Sequence, residues 1–406
     1  MTAFESLSAR SKAAPESGIM QVIEYGLGRP GLIPLWAGEG HRPTPEFICS
    51  AANASLAAGE TFYTYQGGIP ALRESLAAYH SFHYGGSFDP ARFFVTASGM
   101  HAMQTAVLMV ADPGDEIIFH EPAWPNFAAA ADIAGVRPVP VAMQLTEPDD
   151  GPSRWTLDPQ ALFDAVTPRT RGFFLNTPSN PTGWVMPADD MKRVLDFARE
   201  RGLWIIADEI YGRFCFGGGQ PSAQDRLIAP SFYAFIEPED RVLFVNTFSK
   251  NWAMTGWRIG WLGAPQSCWA KIENLVQYST SGVAVFMQRA AVAALDDGDA
   301  FSEAVIEDAR TGRTMLADAL GKSSRFRFAD PDGAFYGFFA IDGHSDTDQL
   351  GMTLVDQANI GLAPGSAFGD SGRGYVRLCF ARDPDSLGEA LGRLNEWVAQ
   401  KTPVSA

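Results

Sequence analysis

Thr247-Phe248-Ser249-Lys250-Asn251-Trp252-Ala253-Met254-Thr255-Gly256-Trp257-Arg258 places one lysine amine beside two hydroxyls, with an arginine eight residues on. An unprotonated lysine amine can condense with an aldehyde, and burial or neighbouring cations lower its pKa enough to allow this. The hydroxyls of Thr247 and Ser249 are neutral donors for phosphate oxygens, and the Arg258 guanidinium is a charged, forked one. Before the segment, Arg241-Val242-Leu243-Phe244-Val245-Asn246 reads as a short apolar strand, and after it Arg258 to Gly263 reads as another. The lysine is therefore expected on a loop beyond a strand end, where α/β folds display reactive groups. The competing reading, a surface lysine in a Ser/Thr-rich turn, loses ground because other stretches supply what a phosphorylated aldehyde needs.

That aldehyde is pyridoxal phosphate, whose ring nitrogen must stay protonated and so needs a carboxylate shielded from water. Asp208 ends the apolar run Leu203-Trp204-Ile205-Ile206-Ala207-Asp208, with Tyr211 three residues on, and Asn180 lies in Ser179-Asn180-Pro181-Thr182-Gly183. Phe93 to Thr96, then Ser98-Gly99-Met100 and an apolar-periodic helix, read as a strand and a helix start able to cradle an anion. Read singly, these are also an N-cap, a turn and a capped helix. Arg377, in Gly374-Tyr375-Val376-Arg377-Leu378-Cys379, puts a cation inside an apolar strand and so calls for a carboxylate partner.

Together these stretches resemble the class I aminotransferases of the fold-type I pyridoxal-phosphate superfamily, with recognisable motifs from about Gly38 to Arg377. The resemblance implies roles residue by residue. Lys250 forms the Schiff base and moves the proton, Asp208 holds the ring nitrogen, and Tyr211 and Asn180 meet the 3′ oxygen. Ser98, Gly99, Met100, Thr247, Ser249 and Arg258 surround the phosphate, and Trp124 stacks on the ring, although core packing also explains a tryptophan in a chain with ten. Gly38, Asn180 and Arg377 receive the substrate, Arg377 taking its α-carboxylate. Tyr63 is similar to a tyrosine that reaches the neighbour's phosphate across a dimer, which implies a homodimer with shared active sites. The loop Ala363 to Gly369 is similar to one near the site.

Composition sets the bounds. A chain of 406 residues, 46% hydrophobic, is long enough for two domains and a large core. No apolar run reaches the length of a membrane span and no leader is evident, so the expectation is a cytoplasmic protein that does not bind membranes. A formal charge of −16 disfavours nucleic acid as a partner. The four cysteines have no close pair, which argues against disulfides and thiolate metal sites and for reduced, partly buried thiols. His80 and His83 lie one helical turn apart without a third ligand and read as a solvated helix face. Gly26-Leu27-Gly28-Arg29-Pro30-Gly31 satisfies a dinucleotide fingerprint on paper, but no apolar strand precedes it and Pro30 interrupts the helix that should follow.

From about Thr44, read as a helix N-cap, helices and strands alternate. Helices are expected near 70–83, 187–201 and 266–277, and strands near 93–96, 116–119, 171–176, 203–208, 241–246 and 258–263. The alternation predicts an α/β fold, a mostly parallel mixed sheet covered by helices in a large domain over 46–295. A smaller α+β domain follows over 296–406, and the resemblance implies that the N-terminal segment 1–45 packs with it.

The reaction implied is transfer of an amino group between an L-amino acid and a 2-oxo acid. The same constellation serves lyases, cyclopropane-forming synthases and racemases, because motifs do not encode the groups that decide a carbanion's fate. Aminotransferase-like domains also occur in transcription factors, which carry an added DNA-binding domain. In aspartate-preferring members a lysine on the phosphate turn meets the distal carboxylate; here that position is Met100. Arg42 or His41 could substitute, whereas Met100 beside Trp36 and Phe127 would suit an aromatic or thioether side chain.

Overall fold

The computed structural model describes residues 2–147, 152–222 and 226–400. Its central sheet has seven strands in the order Phe93–Thr96, Gly260–Gly263, Val242–Thr247, Trp204–Asp208, Thr170–Asn176, Glu116–Glu121 and Arg137–Ala142. Pairing is parallel from Val242–Thr247 outward to Arg137–Ala142, and Gly260–Gly263 runs antiparallel to both its neighbours. Four strands are buried at every position, as a sheet covered on both faces requires. The expected α/β class and its six expected strands are present. Arg137–Ala142 was not foreseen, because Pro138 and Pro140 break a strand signal and are tolerated only at a sheet edge, which is where this strand lies.

Three neighbouring strands end at Asn176, Asp208 and Thr247, so their side chains emerge together at the carboxyl edge of the sheet. Ligands of open α/β sheets lie in the crevice outside these ends. A second, antiparallel sheet is made by Phe326–Phe328, Tyr336–Ile341, Val376–Cys379 and Ala363–Pro364. Helices Asp299–Leu320 and Pro384–Gln400 pack on each other beside it. The N-terminal segment joins this part of the molecule: Ile33–Pro34 pairs in parallel with Ile360–Gly361, and the Leu35 carbonyl accepts from the Cys379 N–H at 2.9 Å.

Two local expectations are corrected. Pro45, not Thr44, occupies the cap position of helix Glu46–Ala57, and the Thr44 hydroxyl donates instead to the Ala253 carbonyl at 2.6 Å. His80 and His83 do not lie on a solvated face; both are buried, His80 stacked on Phe93 and accepting from Trp261 Nε1 at 3.1 Å. Their spacing of three puts them on the apolar face of helix Pro70–Tyr84 as readily as on the wet one. All four cysteines are free, and among the described residues no helix is long and apolar enough to cross a membrane.

Gly260 ties the sheet to its ligand-facing edge. A Cβ there would lie 2.6 Å from the Asn246 carbonyl oxygen and 2.8 Å from the Gly99 nitrogen, both backbone atoms with little room to give. Gly260→Ala should therefore cost about 1–3 kcal/mol, measured as a lower urea midpoint. An unchanged midpoint would show that the strand and the 98–99 turn are free to separate.

Candidate active site

A cavity of about 290 Å³ opens at the carboxyl edge of the large sheet, between it and the small sheet. Lys250, Asp208, Tyr211, Asn180, Thr247, Ser249, Arg258, Gly99, Met100, Trp124, Gly38 and Arg377 all line it. Two of the residues to which the resemblance gives site roles do not. Ser98 stands behind the wall with φ of 96°, its hydroxyl accepting from the His101 N–H as the cap of helix Gly99–Val110. Tyr63 is 95% exposed and borders a separate groove with residues 280–284.

Lys250 follows directly on the strand Val242–Thr247 and its turn, and its Nζ donates to the Gly38 carbonyl at 2.6 Å. Burial is the main reason its pKa falls to about 8; Arg377 and Arg258 lower it further, against Cys379 and Glu39. Asp208 is 2% exposed, and burial lifts its carboxyl to about 7 although the Ile210 N–H and Asn176 hold it down. Its neighbour Glu209 points elsewhere, bonded to the Ser231 hydroxyl and the Phe232 N–H, and burial lifts it to about 8. Tyr211 and Tyr336 share a hydroxyl–hydroxyl bond of 2.7 Å, and burial pushes the Tyr211 phenol well above its ordinary value.

Where a phosphate is expected, the start of helix Gly99–Val110 faces the cavity with Gly99 and Met100. An unbonded helix N-terminus attracts anions. The Thr247 hydroxyl donates to the Ser249 hydroxyl at 2.9 Å and Arg258 donates to the Thr255 carbonyl at 2.6 Å, so this end of the cavity carries two hydroxyls and a guanidinium able to donate.

Opposite lies Arg377, 3% exposed on the strand Val376–Cys379. One terminal nitrogen donates to Asn180 Oδ1 at 2.9 Å and the other to the Trp36 carbonyl, while Nε has no partner. The guanidinium lies over the rings of Tyr336 and Phe368, at 4.5 and 4.8 Å. Among the described residues no carboxylate pairs with it. A buried cation so placed is set up for an anion from outside.

Sequence reasoning missed Asn176 and Tyr336. Asn176 bonds the Asn180 N–H at 2.8 Å and the Asp208 carbonyl at 3.2 Å, so it braces two other members of the site. Its signal was available, since it ends an apolar strand as Asp208 does. Tyr336 had none, being one of several aromatics in a core strand. Phe127 does not line the cavity; it stacks on Phe174 in the core at 3.9 Å. Arg42 and His41 turn away to Asp308.

The family model "Aminotransferase class I and II" matches residues 33–394. The chain is 31% identical to an aspartate aminotransferase of Geobacillus stearothermophilus, over 90% of this chain and 91% of that one. To an aromatic-amino-acid aminotransferase of Thermococcus litoralis it is 31% identical over 98% and 99%. A solved aspartate aminotransferase from Thermotoga maritima superposes with a TM-score of 0.87 at 28% identity, covering 97% of this chain and all 100% of that one.

Asp208 sets a pH dependence of stability. Its folded pKa of about 7 exceeds the unfolded value of 3.8, so the folded state binds the extra proton and stability falls as pH rises through that window. Asp208→Asn should therefore gain on the wild type between about pH 4 and 7 in urea melts, with the gap closing below pH 4. A gap independent of pH would mean that the carboxyl is not desolvated.

Proposed function

The chain belongs to the aminotransferase class I and II family and is an aminotransferase, and we propose that it works with pyridoxal 5′-phosphate held in the cavity beside Lys250. The observation that carries this reading is one cavity joining a lysine lowered to about 8, a buried carboxyl and a buried arginine without a carboxylate partner. The donor set suits the cofactor at each end. Lys250 would hold its aldehyde, Asp208 its ring nitrogen, and Tyr211 and Asn180 its 3′ oxygen. Gly99, Met100, Thr247, Ser249 and Arg258 would hold its phosphate, with Ser98 fixing the turn from behind, and Trp124 would cover the ring.

Bound there, the cofactor supplies an electron sink for the substrate α-carbon. The chain's own groups do the rest. Arg377 takes the α-carboxylate as a forked pair and so sets the orientation of the α-carbon. Gly38 brings its backbone close beneath Tyr336, where a Cβ would lie 2.2 Å from the phenol oxygen. Lys250 Nζ, neutral in a good fraction near pH 8, is the base that takes the α-proton. Asp208 meets a cationic ring N–H as a carboxylate, since an opposite charge reverses the effect of burial on its pKa. The net change moves an amino group from an L-amino acid to a 2-oxo acid.

We further assign the chain to a large unit over 46–295 and a small one over 296–406 joined by 1–45, to the cytoplasm, and to a homodimer. The exposed aromatics Phe62, Tyr63, Tyr65 and Tyr278 support the dimer, because apolar surface of that size calls for cover. Tyr63 would then reach the partner's phosphate site.

Lys250→Ala should cut turnover at least about 10³-fold. Borohydride reduction of wild type with pyridoxal phosphate should fix the cofactor's mass on the peptide carrying Lys250. Attachment elsewhere, or substantial residual turnover in the variant, would remove Lys250 from its role. Ultracentrifugation should give a dimer, and Tyr63→Ala should weaken cofactor retention by about tenfold; a monomer with full retention would remove Tyr63 from the site.

A further inference from the structure

A second and larger cavity, about 590 Å³, adjoins the first, and the two share Met100 and Trp124 as a common wall. Consecutive residues of helix Gly18–Gly26 border them, Gly18 on the larger and Ile19 on the smaller. The larger cavity lies between this helix, helix Asn126–Ala134 and the turn 366–369. We propose that it receives the side chain of the amino acid substrate, and that it selects a bulky, uncharged side chain over a dicarboxylic one. This rests on the transamination reading above, in which Arg377 fixes the α-carboxylate.

The argument is an inventory of charge. Across both cavities the cations among the described residues are Lys250, Arg258 and Arg377, and each has a task that excludes a distal carboxylate. The larger cavity has no lysine, arginine or histidine and carries Glu16, Glu121, Asp132 and Asp348. Glu121 is 9% exposed, with one oxygen accepting from the Ser371 N–H at 2.9 Å. Arg42 of the N-terminal segment is committed to Asp308. A substrate carboxylate entering here would lose water, find no cation among this chain's described residues and meet like charge. The wall beside Met100 and Trp124 is instead apolar, formed by Phe119, Ala129 and Phe368, and burying an aromatic or thioether tip on it is favourable. Met100 is held in place, its sulfur accepting from Asn126 Nδ2 at 3.3 Å.

The test uses the holoenzyme and a panel of alanine, phenylalanine, methionine, aspartate, glutamate and lysine, with kcat/KM for the half-reaction. Phenylalanine or methionine should exceed aspartate and glutamate by about 100-fold. Ala129→Phe, which fills the cavity away from the cofactor, should lower phenylalanine by about tenfold or more while alanine changes little. A preference for aspartate, glutamate or lysine would overturn the proposal. Calorimetry with unreactive carboxylates gives a readout independent of turnover. Binding of 3-phenylpropanoate at least about tenfold tighter than succinate supports the subsite, and the reverse order overturns it. If no amino acid reacts, alanine included, the transamination reading fails, and the calorimetric order still decides the cavity.

Discussion

The site depends on one buried guanidinium. Arg377 sits in the small sheet, bonds Asn180 from the loop above the large sheet, and bonds the Trp36 carbonyl of the N-terminal segment. Three parts of the chain distant in sequence are thereby fixed around a single positive charge. Burying such a charge without a carboxylate is costly, and the cost is moderated here by two oxygen acceptors and two aromatic faces. The residual field is felt at Lys250, where Arg377 is among the influences that keep the amine's pKa low. The residue proposed to receive the substrate thus also helps lower the pKa of the proposed base.

Lys250 and Asp208 are coupled through the same cavity. Each is displaced toward its neutral form chiefly by burial, Asp208 far enough to share its proton near pH 7 while Lys250 stays mostly charged there. Glu209 shows the contrast: it is equally buried and more strongly bonded, yet it faces Ser231 and plays no part at the cavity.

Much of this was legible in the sequence, for reasons that differ by residue. Asp208 and Lys250 could be placed because each follows a short apolar strand, and strand ends in an α/β fold converge on one edge. Arg377 stood out as a cation in an apolar strand. Tyr336 was hidden because an aromatic in an apolar run gives no sign of which face it occupies or what its hydroxyl meets. Phe127 was misread for the same reason, since proximity to Trp124 in sequence says nothing about the helix face that carries it inward to Phe174. His80 and His83 failed on a different count: polarity suggested water, and the aromatic packing that accepts their rings comes from distant strands. Arg42 and His41 were left open, and only the position of Asp308 on a far helix decides where they point.

Three of the side-chain donors at the cavity are engaged with neighbours of their own chain. The Thr247 hydroxyl is turned to Ser249, Lys250 Nζ to the Gly38 carbonyl, and Arg258 to the Thr255 carbonyl. For these three groups the binding proposed above is therefore an exchange of partners, and such an exchange contributes little net affinity by itself. Retention of an anion at this end then rests on the charge of Arg258 and on the start of helix Gly99–Val110.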